Sequence, residues 1–304
     1  MTRHDVPAAR QSETPLPPLR EVIARHGLSA RKSLGQHFLL DLNLTDRIAR
    51  AAGDLSHGTT IEIGPGPGGL TRSLLRLGAA RVVCVERDAR AVAAVRELAG
   101  ACPARLDIIE ADALTANLAT LGPVPRRIVA NLPYNISTAL LVGWLQQIAA
   151  HGPGLLESMT LMFQKEVVDR LAAAPRAKAY GRLSVLAQAV CDVSRLFDIA
   201  PTAFVPPPKV VSTVVRLVPR SLPIRAADGT LLALPSLESV TAAAFGQRRK
   251  MLRTSLRAVF SDVEAALSGL GIKATDRAED LDVSQFISLS TRKLLIIHHK
   301  TESS

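Results

Sequence analysis

The sequence predicts an α/β protein whose parallel sheet carries helices on both faces, followed by a small C-terminal domain made only of helices. Two observations lead to this prediction. Between residues 59 and 131, short apolar segments alternate with amphipathic helical segments, which is typical of a parallel sheet. Beyond a proline-rich break at residues 220–236, the apolar residues follow helical spacing only.

Four buried strands are expected in the first region. Their apolar residues are too continuous for one face to lie in water, and they cover Thr59–Ile63, Arg81–Glu86, Leu106–Ala111 and Arg127–Ala130. Between the strands, Leu70–Leu77 and Ala89–Leu98 combine helix-forming residues with apolar spacing near 3.6 residues. These two segments are therefore predicted to be crossover helices.

The sheet is expected to continue through Met159–Phe163, Val193–Ile199 and Val210–Val218. The last two segments are joined by a proline-rich connection that is too short for a parallel crossover, which needs a dozen or more residues. They therefore predict an antiparallel pair of strands.

These elements divide the chain into a disordered tail at 1–25, an α/β domain at 26–219, a linker at 220–236 and a helical domain at 237–304. Helices are expected in the last part at Val240–Phe260, Val263–Leu270 and Val283–Leu295. The tail has prolines and acidic residues but no apolar core segment, so no secretory signal is expected. An organellar transit peptide is the less favoured alternative to disorder.

The charge balance favours an anionic partner. Among 304 residues, 37 lysines and arginines outnumber 27 aspartates and glutamates, which gives a net charge of +10. Nucleic acid is the first expectation, and an acidic membrane surface is the second. No apolar run approaches the ~18 residues of a membrane helix, so membrane spanning is excluded. The three cysteines are scattered, which argues against disulfides and a zinc site and indicates a reducing cytoplasm.

A glycine-rich segment directly follows the first predicted strand. Gly64, Gly66 and Gly69 fit the pattern G-x-G-x-x-G just before a predicted helix, where a backbone can approach a ligand closely. Glu86 ends the second strand, at the position of the ribose-binding acid of dinucleotide folds. The segment predicts a cofactor site, and by itself it leaves open a nicotinamide dinucleotide or another adenosine-containing cofactor.

Two carboxylates follow consecutive strands. Glu86 can accept both hydroxyls of a ribose, and Asp112 can accept the exocyclic amine of an adenine. Because the carboxyl ends of parallel strands share one edge of a sheet, both acids are expected to line one crevice with the glycine-rich segment. For either acid taken singly, a surface carboxylate is the alternative.

The fourth strand ends in Asn-Leu-Pro-Tyr at residues 131–134. Pro133 favours an extended Leu132, whose carbonyl can then point into the crevice beside the side-chain carbonyl of Asn131. Two neutral acceptors can take two hydrogens from one amine, and Tyr134 offers a face on which a base can stack. This pattern favours chemistry on an aromatic amine. A turn whose tyrosine fills the core is the alternative.

From about residue 26 onward, nearly the whole chain resembles the ribosomal RNA small-subunit adenine dimethyltransferase family. The matching segments are GQHFL at 35–39, EIGPGPGGLT at 62–71, ERD at 86–88, ADAL at 111–114, NLPYNIS at 131–137, QKEVVDRL at 164–171, YGRLSV at 180–185, FVPPPKVVSTVVRL at 204–217 and FGQRRKMLRTSL at 245–256. Position 37 is histidine where many members have asparagine.

The resemblance implies a Rossmann-like sheet that binds S-adenosyl-L-methionine and a helical domain that helps to hold RNA. It implies dimethylation of N6 of two adjacent adenosines in a hairpin loop near the 3′ end of 16S rRNA, by a cytoplasmic monomer acting within an assembling small subunit. The implied cofactor contacts are His37, Leu39, Gly64, Gly66, Glu86, Asp112 and Asn131. The implied catalytic group is Asn131, Leu132, Pro133, Tyr134 and Phe204, with Tyr134 and Phe204 on either face of the base.

A basic strip is expected on the predicted helix that starts near Val240. Lys250, Arg253 and Arg257 fall within about 60° of one another on a helical wheel. The residues expected to contact RNA are Arg248, Arg249, Lys250, Arg253 and Arg257. A solvated face without a partner is the alternative.

Other functions stay open at this point. They are a large-subunit rRNA adenine N6-methyltransferase of the antibiotic-resistance type, an NAD-dependent oxidoreductase, and an RNA-binding factor without catalysis. An oxidoreductase explains the glycine-rich segment and Glu86, but it leaves Asp112 and the Asn-Leu-Pro-Tyr segment unexplained.

Overall fold

The structure, a computed structural model, describes residues 16–29, 36–102, 104–152, 154–220 and 233–302. Its strands are β1 (Phe38–Leu39), β2 (Thr59–Ile63), β3 (Val82–Glu86), β4 (Leu106–Glu110), β5 (Arg126–Asn131), β6 (Ser158–Gln164), β7 (Cys191–Ile199), β8 (Phe204–Val205) and β9 (Ser212–Pro219). Its α-helices are α1 (Leu19–Arg25), α2 (Leu42–Ala51), α3 (Gly69–Arg76), α4 (Ala89–Ala101), α5 (Ser137–His151), α6 (Lys165–Leu171), α7 (Arg182–Val190), α8 (Leu234–Gly246), α9 (Leu252–Ser255), α10 (Val263–Leu267) and α11 (Val283–Glu302).

Seven of the described strands form one sheet in the order β4-β3-β2-β5-β6-β9-β7. The strands from β4 to β6 are parallel, whereas β9 runs antiparallel to both β6 and β7. Neighbouring residues of β5 face opposite sides of the sheet. Ile128 packs in the apolar cluster that contains residues of α5, and Val129 packs in the cluster that contains residues of α2 and α3, so helices cover both faces. The predicted α/β class, the helices on both faces and the antiparallel pair are therefore confirmed.

One of the four predicted buried strands is not buried. β4 lies at the edge of the sheet, and Asp107, Ile109 and Glu110 are exposed there. An edge strand has a neighbour on one side only, so its position in the sheet order decides its burial. β2 and β3, in contrast, are buried at every residue.

The strand order creates a crevice at the carboxyl edge of the sheet. From β2 the chain runs outward through β3 to β4, and it then returns to the other side of β2 to form β5. Connections that leave a central strand in opposite directions open a gap above its carboxyl end, which is the usual ligand site of open α/β sheets.

The C-terminal helices share their core with the sheet. α8 begins at Leu234, inside the predicted linker, and its Leu237 is buried. Leu237 and Phe286 of α11 belong to the same apolar cluster as Leu171 and Tyr180 of the preceding α/β part. This part of the chain is helical as predicted, but it has no separate core within the described residues.

The predicted helix Val240–Phe260 is wrong as a single element. α8 ends at Gly246, and α9 begins only at Leu252. The backbone N–H of Leu252 donates to the carbonyl of Asp276 at 2.8 Å. In a continuous helix, this N–H would donate to the carbonyl four residues earlier. Here the acceptor comes from a distant segment, which the periodicity of the sequence cannot show.

The N-terminal tail was predicted to be disordered through residue 25, but helix α1 occupies part of it. Val22 of this helix is buried with Ala91 of α4. The predicted tail at 1–15 and most of the predicted linker, 221–232, lie outside the described residues. In the part of the chain that the structure describes, no helix has the length and apolar character required to cross a membrane.

Candidate active site

A cavity of about 370 Å³ opens at the crevice predicted by the strand order. The ends of β2, β3 and β5, the loop after β4 and residues 36–39 line it. All the predicted cofactor contacts meet here, namely His37, Leu39, Gly64, Gly66, Glu86, Asp112 and Asn131. Of the other predicted catalytic residues, Leu132, Pro133 and Tyr134 line the cavity, and Phe204 does not.

The glycine-rich segment forms the sharp turn between β2 and α3. Gly66 has a φ of 54°, which side chains disfavour, and a Cβ at this residue would lie 3.1 Å from the ring of Phe38. At Gly69, a Cβ would lie 2.9 Å from the carbonyl oxygen of Leu39. Since α3 begins at Gly69, beside the cavity, the positive end of its dipole can hold a negatively polarised group there.

Glu86 ends β3 with a side chain that is nearly buried. Its Oε1 accepts the backbone N–H groups of Arg87 at 2.8 Å and Asp88 at 2.9 Å. Burial raises the pKa of Glu86, and these backbone hydrogen bonds oppose the rise. An ionised carboxylate has about four acceptor positions, so the group keeps acceptors for ligand hydroxyls while its orientation is fixed.

Asp112 follows β4 and faces the same cavity. Its Oδ1 accepts the backbone N–H of Leu114 at 3.0 Å, and the guanidinium of Arg87 lies 3.4 Å from Oδ2. The carboxylate is therefore held in place at the cavity, where the sequence predicts it to lie, and its acceptance from an adenine stays a prediction.

Glu62 is a buried ionisable residue beside the glycine-rich turn that the sequence patterns did not single out. It lies in β2 just before the glycine-rich turn, and only 2% of the residue is exposed. Burial raises its pKa to about 7, although hydrogen bonds from Thr71 and Cys84 oppose the rise. The sequence does contain a sign of this residue, because a glutamate in a strand predicted to be buried is unusual.

The amide of Asn131 has a defined orientation. Its Nδ2 donates to the backbone carbonyl of His37 at 3.0 Å. Because that carbonyl can only accept, the contact identifies the nitrogen of the amide and leaves Oδ1 as the acceptor for a ligand. The role of Asn131 as an acceptor for a target amine, beside Leu132, stays a prediction.

Tyr134 is half-buried at the rim of the cavity. Its hydroxyl forms a hydrogen bond with the hydroxyl of Ser212 in β9, and burial raises the pKa of the phenol. The hydroxyl is thereby anchored to the sheet while the ring lines the cavity. An anchored ring at this place can support a stacked base.

Phe204 does not present a face to the cavity. Only 2% of it is exposed, because β8 pairs with β1 and places Phe204 opposite Leu39. The ring of His37 stands against it edge-on at 6.4 Å and also lies 5.2 Å from the ring of Tyr134, both distances joining ring centroids. Phe204 is therefore a wall behind His37 in this structure.

The predicted basic strip is divided between several elements. Arg248 donates to the carboxylate of Glu279 at 2.8 Å and to the carbonyl of Lys178 at 3.0 Å, so it joins the helices to the α/β part. The remaining predicted RNA contacts are exposed on the turn after α8, on α9 and on the following short 3₁₀ helix, and they are Arg249, Lys250, Arg253 and Arg257.

Comparisons with known proteins show the family of this chain. A family model described as ribosomal RNA adenine dimethylase matches residues 27–294. The ribosomal RNA small subunit methyltransferase A of Paramagnetospirillum magneticum is 61% identical over 275 residues, which cover 90% of this chain and 94% of the relative. The protein of the same name from Rhodospirillum rubrum is 57% identical over 282 residues, which cover 92% and 94%.

Solved structures share the fold. A dimethyladenosine transferase from Plasmodium falciparum has a TM-score of 0.67 at 24% identity and covers 87% of this chain and 98% of its own. The 23S rRNA methyltransferase ErmE has a TM-score of 0.60 at 29% identity, with coverage of 84% and 98%. Together with the family match and the two relatives, the cavity and its residues show that the chain belongs to the ribosomal RNA adenine dimethylase family.

Proposed function

We propose that this protein dimethylates N6 of two adjacent adenosines in a hairpin loop near the 3′ end of small-subunit rRNA, with S-adenosyl-L-methionine as methyl donor. The orientation of Asn131 is the observation that carries the proposal. Its Nδ2 donates to the carbonyl of His37, so Oδ1 is the acceptor of the amide, and Asn131 lines the cavity together with Leu132, Glu86 and Asp112. Two neutral acceptors near a cofactor crevice suit an aromatic amine.

The residues present fit S-adenosyl-L-methionine. Glu86 is a buried, preoriented acceptor for ribose hydroxyls, and Asp112 can accept the exocyclic amine of the adenine. The glycine-rich turn leaves space that a Cβ at Gly66 would narrow. When bound, the group supplies a methyl group on a positively charged sulfur. These acceptors suit the ribose and the adenine of an adenosine, and Asn131 adds a polar group at the methionine end.

The chain's own residues would localise the lone pair of the target nitrogen. In adenine this lone pair is delocalised into the ring. Oδ1 of Asn131 and the carbonyl of Leu132 would accept the two amine hydrogens. This would favour a tetrahedral nitrogen whose lone pair points at the methyl group. These hydrogen bonds strengthen as the nitrogen becomes positive, so they stabilise the transition state more than the ground state.

Tyr134 would hold the target base during this step. Stacking on an aromatic side chain contributes about 1–3 kcal/mol per base, which offsets part of the cost of removing a base from its stack. A single-stranded loop lowers that cost further. The exposed cations of the helical part, Arg249, Lys250, Arg253 and Arg257, would contact phosphates outside the cavity.

The relatives favour a small-subunit substrate over the alternatives. The proteins named small subunit methyltransferase A match at 61% and 57% identity, whereas the 23S rRNA methyltransferase matches at 29%. A nicotinamide dinucleotide would account for the glycine-rich turn and Glu86, but it would leave Asp112 and the Asn-Leu-Pro-Tyr segment on the same cavity unexplained. Action in the cytoplasm, as a monomer and on an assembling subunit, stays a prediction.

The test is mass mapping of N6,N6-dimethyladenosine in small-subunit rRNA after incubation with the protein and S-adenosyl-L-methionine. We expect two dimethylated adenosines near the 3′ end, and we expect Asn131→Ala to abolish them while the protein stays folded. Asn43→Ala, an exposed asparagine of α2 outside the cavity, is the matched control and should keep full activity. Modification of large-subunit rRNA alone would contradict the proposal.

A further inference from the structure

Two arginines hold the part of the chain that precedes the sheet. We call residues 17–28, which contain α1, the N-terminal segment. Nη1 of Arg72 in α3 donates to the carbonyl of Pro17 at 2.6 Å, and Nη1 of Arg90 in α4 donates to the carbonyl of Gly27 at 2.7 Å. Since α3 and α4 both begin beside the cavity, the segment is tied to the two helices that follow the glycine-rich turn and β3.

Apolar side chains of the N-terminal segment pack behind the walls of the cavity. Cδ1 of Leu19 lies 3.2 Å from the place that a Cβ would take at Gly69, where α3 begins. Val22 and Leu28 are buried in a cluster with residues of α4, and Phe38, which lines the cavity, packs against the same cluster. The segment therefore supports the glycine-rich turn, the start of α4 and the residues of β1.

Arg90 connects this segment to the ribose-binding side of the site. Its Nε donates to Oδ1 of Asp88 at 3.0 Å and its Nη2 donates to Oδ2 at 2.7 Å, so the planar guanidinium holds the carboxylate through two bonds. The backbone N–H of Asp88 in turn donates to Oε1 of Glu86 at 2.9 Å. One side chain thus bridges Gly27 and the residue whose backbone orients Glu86.

Helix formation does not explain an arginine at position 90. Arg90 is the second residue of α4, and a cation in the first turn of a helix is repelled by the positive end of the helix dipole. Asp88 caps this helix through its own Oδ1, which accepts the backbone N–H of Arg90 at 3.1 Å. Of the described residues of α4, Ala89 alone lines the cavity, so Arg90 would act on a ligand only through its neighbours.

We propose that the N-terminal segment and Arg90 position Glu86 for the cofactor, so that docking of the segment and binding of S-adenosyl-L-methionine strengthen each other. Arg90 is then a positioning residue that acts through Asp88. When the segment undocks, Arg90 loses the carbonyl of Gly27, and the turn after β3 loses a constraint. Fewer molecules then hold Glu86 in the binding orientation. The inference rests on the proposed function, because it takes S-adenosyl-L-methionine as the ligand of the cavity.

Calorimetry with S-adenosyl-L-methionine on the full chain tests the role of Arg90. An apparent dissociation constant is inversely proportional to the fraction of protein in the binding-competent arrangement, so a fall of that fraction to about one tenth weakens binding about tenfold. We expect this loss in Arg90→Gln. Arg96→Gln is the matched control, because Arg96 is an exposed arginine of the same helix that pairs with Glu110 at 3.4 Å, outside the lining of the cavity. Wild-type affinity in Arg90→Gln would overturn the proposal.

Val22→Ala tests the N-terminal segment from its apolar side. Val22 is buried against Ala91 and Ala94 of α4 and does not line the cavity, so its truncation loosens the docking without removing a polar group. This variant should also bind S-adenosyl-L-methionine more weakly. In both variants, single-turnover methylation at saturating RNA and methyl donor should keep the wild-type rate, because binding is impaired and the chemical step is not. A lower saturated rate with unchanged affinity would overturn the proposal.

Hydrogen exchange on the wild-type protein provides a test that needs no variant. A ligand whose binding is strengthened by docking must strengthen docking by the same factor. Exchange of the amides in residues 17–28, followed by mass spectrometry, reports how often the segment opens. Saturating S-adenosyl-L-methionine should slow this exchange by up to about tenfold, the factor expected in calorimetry. Exchange that the ligand leaves unchanged would overturn the proposal, even if Arg90→Gln or Val22→Ala failed to fold.

The outcomes separate this inference from the proposed function. A wild-type protein that does not bind S-adenosyl-L-methionine would refute the proposed function and the inference with it. A wild type that binds it but methylates no rRNA adenosine would refute the proposed reaction only, since calorimetry and hydrogen exchange still test the N-terminal segment. An active wild type whose Arg90→Gln variant keeps full affinity would refute the positioning role alone.

Discussion

Ionisation of Glu62 should lower the stability of the folded protein as pH rises from about 5 to about 8. The side chain is buried in β2, and burial raises its pKa to about 7. In an unfolded chain a glutamate titrates near pH 4.3. Between these two pH values, Glu62 keeps its proton in the folded state but has lost it in the unfolded state. The free energy of unfolding therefore falls as the pH rises from about 4.5 to about 7.

The size of the effect follows from the two pKa values. Each pH unit between them corresponds to about 1.36 kcal/mol, so the interval from about 4.5 to about 7 corresponds to about 3 kcal/mol. Since domains are stable by about 5–15 kcal/mol, the change is measurable. Glu62→Gln keeps the shape of the protonated acid and removes its charge. The variant should match the wild type near pH 5 and exceed its unfolding free energy by about 3 kcal/mol near pH 8.

Urea unfolding provides the assay. Trp144 is the single tryptophan and is buried, so its fluorescence reports exposure of the core. Subtracting the unfolding free energy of the wild type from that of the variant at each pH cancels the contributions of the titratable groups that both proteins share. Glu264→Gln, which changes an exposed carboxylate on α10, is the control and should show no such divergence. A difference for Glu62→Gln that stays constant with pH would refute the reasoning.

Four further predictions concern binding, turnover and stability. Glu86→Ala should weaken binding of S-adenosyl-L-methionine by about 1.5–3 kcal/mol in calorimetry, because it removes charge-assisted acceptors, and unchanged affinity would contradict the ribose role. Tyr134→Ala should keep cofactor affinity but lose most single-turnover methylation, and a full rate at saturating RNA would favour a packing role. Alanine at both Arg253 and Arg257 should weaken RNA binding and flatten its slope against log salt by roughly one unit, and an unchanged slope would place the RNA surface elsewhere. Tyr180→Phe should raise the unfolding free energy by about 1 kcal/mol, since the buried hydroxyl meets no hydrogen-bond partner among the described residues, and a clear loss of stability would reveal a partner.

Local pattern was enough to predict the parts of the fold that depend on neighbouring residues. The continuous apolar segments at β2 and β3 and the positive-φ glycines between β2 and α3 appear where the sequence predicts them. The ends of parallel strands meet at one edge, so Glu86, Asp112 and Asn131 could be assigned to one crevice before any distance was known. Strand periodicity, turn chemistry and the shared edge are properties that a linear sequence carries.

Tertiary contacts decided the rest. The acceptor atom of Asn131 is set by the carbonyl of His37, 94 positions away along the chain. Phe204 was expected to face a base, but the pairing of β8 with β1 buries it. The helix expected through residue 260 stops at Gly246, and the backbone N–H of Leu252 further along pairs with the distant carbonyl of Asp276. Burial and hydrogen-bond partners depend on which distant segments meet, so sequence patterns predicted the elements and the crevice, while the packed structure determined which atoms face the ligand.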